Sequence, residues 1–165
     1  YVFGGNMASA AALTGVTNMV SLGVGIASLP LFDRLSRRHG KMRTLYASMA
    51  VLLLGNILTW WSFDPDHPWL LVINGLFIAP GNTGLWMMIP SMIADITDED
   101  ELHTGQRREG SYAAVYAWIF KVATALAFGL SGPVLELTGF RAELGADQAP
   151  GVLTTMRLLM VLVPV

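Results

Sequence analysis

Apolar residues run through this chain in long blocks, separated by short charged or turn-forming segments rather than interleaved with polar positions. Taking about 20 apolar residues as the length that crosses a bilayer, the blocks fall at residues 7–32, 44–63, 69–93 and 110–137, with a shorter one at 151–165. The pattern predicts an all-α, polytopic membrane helical bundle of about four full spans plus partial ones. A water-soluble helical bundle is the competing reading, and it requires polar faces recurring at the helical period, which these blocks lack. Tyr1–Gly5 reads as the tail of an earlier helix that stops at Gly4-Gly5-Asn6.

The segments between blocks, 33–43, 64–68, 94–109 and 138–150, must then alternate between the two membrane faces. Lys and Arg number five in the first (Arg34, Arg37, Arg38, Lys41, Arg43) and two in the third (Arg107, Arg108), against Arg141 alone on the opposite side. Seven against one is a positive-inside bias, so the first full span runs from outside to inside. Trp60, Trp61 and Trp69 flank Asp64-Pro65-Asp66-His67-Pro68 and suit an aromatic belt at the outer interface.

Composition agrees and narrows the function classes. Of 165 residues, 53% are hydrophobic and 13% charged, with a mean hydropathy of +0.53 and a net charge of −2. Soluble domains carry about 25% charged residues. The few basic residues lie in short clusters rather than in a stripe that could track a nucleic-acid backbone, so no nucleic-acid partner is expected. The absence of cysteine removes disulfides and thiolate metal sites. The first residue is Tyr and the last apolar block stops at 15 residues, so the chain reads as a piece of a longer protein.

Candidate chemistry is sparse, which makes each polar residue inside a block informative. Lys121 lies 12 residues past Glu109. That puts it about 18 Å from the inner entry, near mid-membrane and beyond easy snorkelling. An intramembrane cation implies a water-filled cavity or an acidic partner. Its neighbours at helical spacing, Ala114, Ala117, Thr124, Ala125 and Phe128, form a mostly small face. The small residues Gly15, Gly23, Gly25 and Ala27 in the first span, and Ala113, Ala114, Ala117 and Ala125 in the fourth, suit close helix packing. The third span carries Ala79-Pro80-Gly81-Asn82-Thr83-Gly84 and then Pro90, which predicts interruptions that free backbone carbonyls in mid-membrane. Trp86 lies about 12 Å deep by helical rise, too far in for a belt position. A tryptophan there, with Asn82 one turn earlier, suits a sugar, whose C–H face stacks on the ring while its hydroxyls pair with amides; core packing suits Trp86 equally. Thr14, Asn18 and Ser21 form a second polar stripe, in the first span, of the kind that serves interhelical hydrogen bonding more often than a ligand.

The acids Asp95, Asp98, Glu99, Asp100 and Glu101, with His103, match neither an EF-hand loop nor a zinc motif, so no metal site is expected. They pair more naturally with Arg107, Arg108 and Glu109 in an inner-face network of modest ion pairs. No nucleophile and base fall into a recognisable motif, and Lys121 is a single intramembrane ionisable group where an enzyme needs two that converge. Neither an enzyme nor a cofactor is expected.

The stretch ADITDEDELHTGQRREG at 94–110, followed by Phe120-Lys121, closely resembles the glycoside-pentoside-hexuronide:cation symporters of the major facilitator superfamily, the melibiose permease-like carriers, where it joins the tenth and eleventh helices. LSRRHGKMR at 35–43 is similar to the loop after that family's eighth helix, and MRLLMVLVP at 156–164 to the start of its twelfth. The likeness covers nearly the whole chain. It departs at Glu99, where the family usually carries tyrosine.

The resemblance implies most of the C-terminal six-helix half of a twelve-helix secondary transporter in a bacterial inner membrane. Such a carrier moves a sugar or glycoside with Na⁺ or H⁺ by alternating access. Trp86 falls on the family's sugar-site tryptophan and Lys121 on its intramembrane lysine, with Asn82 and Asn18 as further substrate-binding candidates. Arg34, Arg37, Arg38, Lys41, Asp95, Asp98, Arg107, Arg108 and Glu109 are the candidates for a cytoplasmic gate. The expected partners are the sugar, the lipid bilayer and the carrier's N-terminal half, where most of the coupling-ion site would lie. A superfamily carrier for a lysolipid or another non-sugar solute is the alternative.

Overall fold

The computed structural model describes residues 7–62, 67, 69–140 and 150–162, and these form five helices. They are α1 (Met7–His39), α2 (Lys41–Ser62), α3 (Leu70–Thr104), α4 (Glu109–Leu137) and α5 (Pro150–Leu162). The first four are long and apolar enough to cross a membrane. The expected outer segments at 63–66, 68 and 141–149, Arg141 included, lie outside the described residues, as does Tyr1–Gly5.

The helices run further than the apolar blocks. α1 continues past Phe32 to His39, and α3 past Ile93 to Thr104, so most of the two basic connections is itself helical. Gly40 alone separates α1 from α2, at φ 86°, a left-handed conformation that favours glycine. Arg37, Arg38 and His39 occupy the last turn of α1, where positive charge complements the helix C-terminus. Gly105, at φ 67°, closes α3 by donating its N–H to the Glu101 carbonyl at 2.8 Å.

The expected interruption of the third span is corrected by the structure. α3 is one continuous helix with Pro80 and Pro90 inside it. A proline removes one N–H and crowds one carbonyl, which neighbouring helices can accommodate. Here α2 lies hard against this stretch. A Cβ added at Gly81 would sit 2.7 Å from the Leu52 backbone nitrogen, and one at Gly84 would collide with Ser48. The glycines after Pro80 thus bring two helix backbones together, and this packing keeps the helix intact.

The interior is inverted relative to a soluble bundle. α2 buries Thr44, Ser48, Gly55, Asn56, Thr59 and Ser62, which recur at three-, four- or seven-residue intervals on one face. Among the described residues the buried large hydrophobics are Phe32 and Met88, while rows of Leu, Ile, Met and Val are exposed. The buried hydroxyls are satisfied locally: Thr44, Ser48, Thr59 and Ser62 each donate to the carbonyl four residues earlier. Asn74 reaches across, its Nδ2 donating to Thr59 Oγ1 at 2.9 Å. This is the arrangement of a bilayer solvent, with small polar faces inside and apolar side chains outside.

α3 packs most extensively on α2 and next on α1; α4 touches α3 only sparsely and has no buried residue. The small face expected on α4 does not pack among the described residues, and that on α1 packs only in part. Gly15 and Gly23 have open space around them and the α4 alanines are exposed, whereas Gly25 on α1 packs closely as expected and the other tight approaches fall at Gly55, Gly75, Gly81 and Gly84.

Candidate functional site

An open groove of about 720 Å³ lies between α1 and α3. On α1 its wall is Asn18, Ser21, Leu22, Gly25, Ile26 and Leu29, recurring every three or four residues; on α3 it is Ile78, Ala79, Asn82, Thr83, Trp86 and Met87. α1 and α3 run in the same direction, and at Gly25 they come so close that a Cβ there would meet Thr83 Oγ1 at 2.9 Å. The two amides, Asn18 and Asn82, therefore stand on opposite walls of one groove, with Trp86 one turn beyond Asn82.

The Asn82–Trp86 pair and Asn18, from separate stretches of the sequence, thus share one concavity. Asn18 and Asn82 are exposed, and Trp86 is 55% exposed, so each is available to a ligand. Asn18 and Ser21 line the groove, while Thr14, the third member of that stripe, back-bonds to the Ala10 carbonyl. The groove also uses Thr83, which sequence reasoning saw only as part of a helix break. Its signal was present all the same: Asn82, Thr83 and Trp86 fall within about one helical turn of each other.

Lys121 is not among the residues that line this groove. The neighbouring Phe120 packs edge-on against Trp86 at 5.5 Å between ring centres, and Tyr116 stacks on Phe120 at 6.3 Å. This aromatic contact puts α4 at the level of Trp86 and carries Lys121 with it. Lys121 is exposed and makes no ion pair among the described residues.

A second cluster occupies the end of the bundle that carries both basic connections. Lys41 Nζ, at the start of α2, binds Asp95 Oδ1 at 2.6 Å and donates to the Ser91 carbonyl at 3.1 Å, tying α2 to the extension of α3. Arg108 Nη2 reaches Asp100 Oδ1 at 3.0 Å across the turn from α3 to α4; Asp100 Oδ2 is buried without a partner. Arg107 pairs with Glu109 at 3.3 Å, and Arg37 with Asp33 at 3.0 Å within α1. Of the nine gate candidates, Arg34, Arg38 and Asp98 make no ion pair among the described residues. Six are paired: Lys41–Asp95 joins two helices and Arg108–Asp100 spans the turn between α3 and α4, whereas Arg107–Glu109 and Arg37–Asp33 are local.

Long apolar helices that pack through small polar faces describe a membrane protein. Residues 1–165 match the family described as MFS/sugar transport protein. The chain belongs to that family and is an integral membrane protein. It is also 29% identical over 137 residues to an uncharacterized symporter of Synechocystis sp. (strain ATCC 27184 / PCC 6803 / Kazusa), a match covering 83% of this chain. The chain spans about a quarter of that relative's length, 25%. No solved structure matches significantly.

Proposed function

We propose that the parent protein is a secondary transporter that carries a sugar or glycoside together with Na⁺ or H⁺ by alternating access. The observation that carries this reading is the single groove holding Asn18, Asn82 and Trp86. A sugar presents hydroxyls that pair with amides and an apolar ring face that stacks on indole, and this groove offers both along its length. Membership of the sugar transport family and the match to a relative named a symporter support the substrate class and the coupling.

Lys121 supplies charge at the depth of Trp86. A lysine facing hydrocarbon at mid-span is costly, so in the assembled carrier its face of α4 borders water, substrate or a carboxylate of the N-terminal half, the expected location of the coupling ion. The Lys41–Asp95 and Arg108–Asp100 pairs hold the inner end closed in one state. Substrate and ion binding then favour the alternative state by their differential affinity. The exposed pairs, each worth roughly 1 kcal/mol or less, are weak enough to exchange during each cycle.

The test is uptake of radiolabelled glycosides by cells expressing the parent, with and without a Na⁺ or proton gradient. Gradient-driven uptake should be lost in Trp86→Ala and Lys121→Ala and strongly reduced in Asn82→Ala, with unchanged expression. Absence of uptake across a broad sugar panel, with lysolipid or another solute carried instead, contradicts the substrate assignment. Normal uptake by the variants contradicts the site.

A further inference from the structure

A second groove of about 720 Å³ opens at the basic end of the bundle, where α1, Gly40 and the first turn of α2 meet the extension of α3. Arg37, His39, Lys41 and Arg43 line it, against the single carboxylate of Asp95. Lys41 is held by Asp95 and Arg37 by Asp33, but Arg43 makes no ion pair among the described residues and is exposed. The first turn of α2 adds backbone N–H groups that have no partner within their own helix, so the groove is a concavity of positive potential.

Its position distinguishes it from a soluble anion site. Met42, on the groove wall, begins a row of exposed side chains along α2: Met42 at 49%, Tyr46 at 60%, Met49 at 45% and Leu53 at 59%. At 100° per residue these lie within a narrow arc, on the opposite side of α2 from the buried Thr44, Ser48, Gly55 and Thr59. The row therefore faces away from α3 and is exposed along its length. A basic groove at one end of a span, continuous with an exposed apolar track about 15 Å or more long, matches an anionic lipid in both headgroup and chain.

We infer that this groove binds an anionic phospholipid of the cytoplasmic leaflet, its phosphate among Arg43, His39 and Lys41 and an acyl chain along Met42, Tyr46, Met49 and Leu53. The site is separate from the sugar groove and does not depend on the transport reading. It is also distinct in chemistry, since it selects for charge and chain together.

The test is native mass spectrometry of the purified full-length parent, titrated with dioleoylphosphatidylglycerol or dioleoylphosphatidylcholine. The parent should retain phosphatidylglycerol in preference to phosphatidylcholine. Arg43→Gln combined with His39→Gln should reduce that preference about fivefold or more, the effect of one basic side chain near an anionic surface. Arg43→Lys should keep it, and Tyr46→Asn should weaken retention while leaving the inner charges in place. Glycerol 3-phosphate, the headgroup without chains, should fail to displace the lipid. Equal retention of the two lipids, an unchanged preference in the double variant, or displacement by glycerol 3-phosphate would each overturn the inference, the last by assigning the groove to a free phosphate ester. Because binding is read without uptake, its failure is distinct from failure of the transport reading.

Discussion

α2 and α4 are both long apolar helices, yet they are held in opposite ways. α2 is locked to α3 through small and hydroxyl residues that let backbones approach, with Leu52 over Gly81 and Ser48 over Gly84. α4 buries nothing among the described residues and meets α3 through the Phe120–Trp86 rings and the Arg108–Asp100 pair. Both are apolar enough to span a membrane, α4 the more so, yet the more apolar helix is the more loosely fastened. What differs is the placement of small polar residues on the facing side, because apolar surface gains nothing by leaving lipid for protein. In the proposed rocking carrier, the locked unit of α1, α2 and α3 would provide a rigid wall, with α4 the more loosely held element.

The sharpest way to break that contrast is a methyl group on each side of it. Gly81→Ala forces its Cβ against the Leu52 backbone, which cannot step aside, and should destabilise the parent by about 3 kcal/mol, the upper end of ordinary overpacking. Gly110→Ala, in the first turn of α4 with open space around it, should be neutral or stabilising by up to about 1 kcal/mol through helix propensity. Thermal unfolding of the purified parent measures both, and equal losses would remove the distinction.

The tether of α4 is the next target. Arg108→Ala leaves Asp100, whose side chain is 17% exposed, without its cation and should cost about 1–2 kcal/mol locally. The readout is faster hydrogen exchange in the first turns of α4 with α2 unaffected. Smaller effects are expected inside the locked unit. Asn74→Ala removes the bond to Thr59, worth about 0.6 kcal/mol by comparison with similar interhelical bonds, and a shift of that size in the melting profile checks it. A double-mutant cycle on Lys41 and Asp95 should give roughly 0.2–1 kcal/mol, falling as salt is raised.

Much of this was legible in the sequence for identifiable reasons. Runs of apolar residues reveal spans because the bilayer imposes one length, and the Lys and Arg count placed both basic connections together, as the Lys41–Asp95 pair now shows. Asn18, Asn82 and Trp86 stood out because polar groups and a tryptophan at depth need a reason. Their convergence was not visible, since it depends on the register of α1 against α3 set at Gly25 and Thr83. The Pro80 and Pro90 breaks were misread because proline propensity describes an isolated helix, whereas α3 is held by its neighbours. The buried face of α2 was missed although Thr44, Ser48, Asn56 and Thr59 announce it at helical spacing; in a membrane the informative stripe is the polar one.

The central claim, that the groove between α1 and α3 receives the substrate, is tested most directly by substrate protection. Ile26 lines the groove at 59% exposure, and Leu102 lies outside it at 86%. The chain contains no cysteine of its own, so Ile26→Cys and Leu102→Cys can each be introduced singly into a cysteine-free parent and labelled with a maleimide. Transported sugar should slow labelling at Ile26→Cys in a concentration-dependent way and leave Leu102→Cys unchanged. Labelling at Ile26→Cys that is indifferent to a sugar the variant still transports would contradict the account.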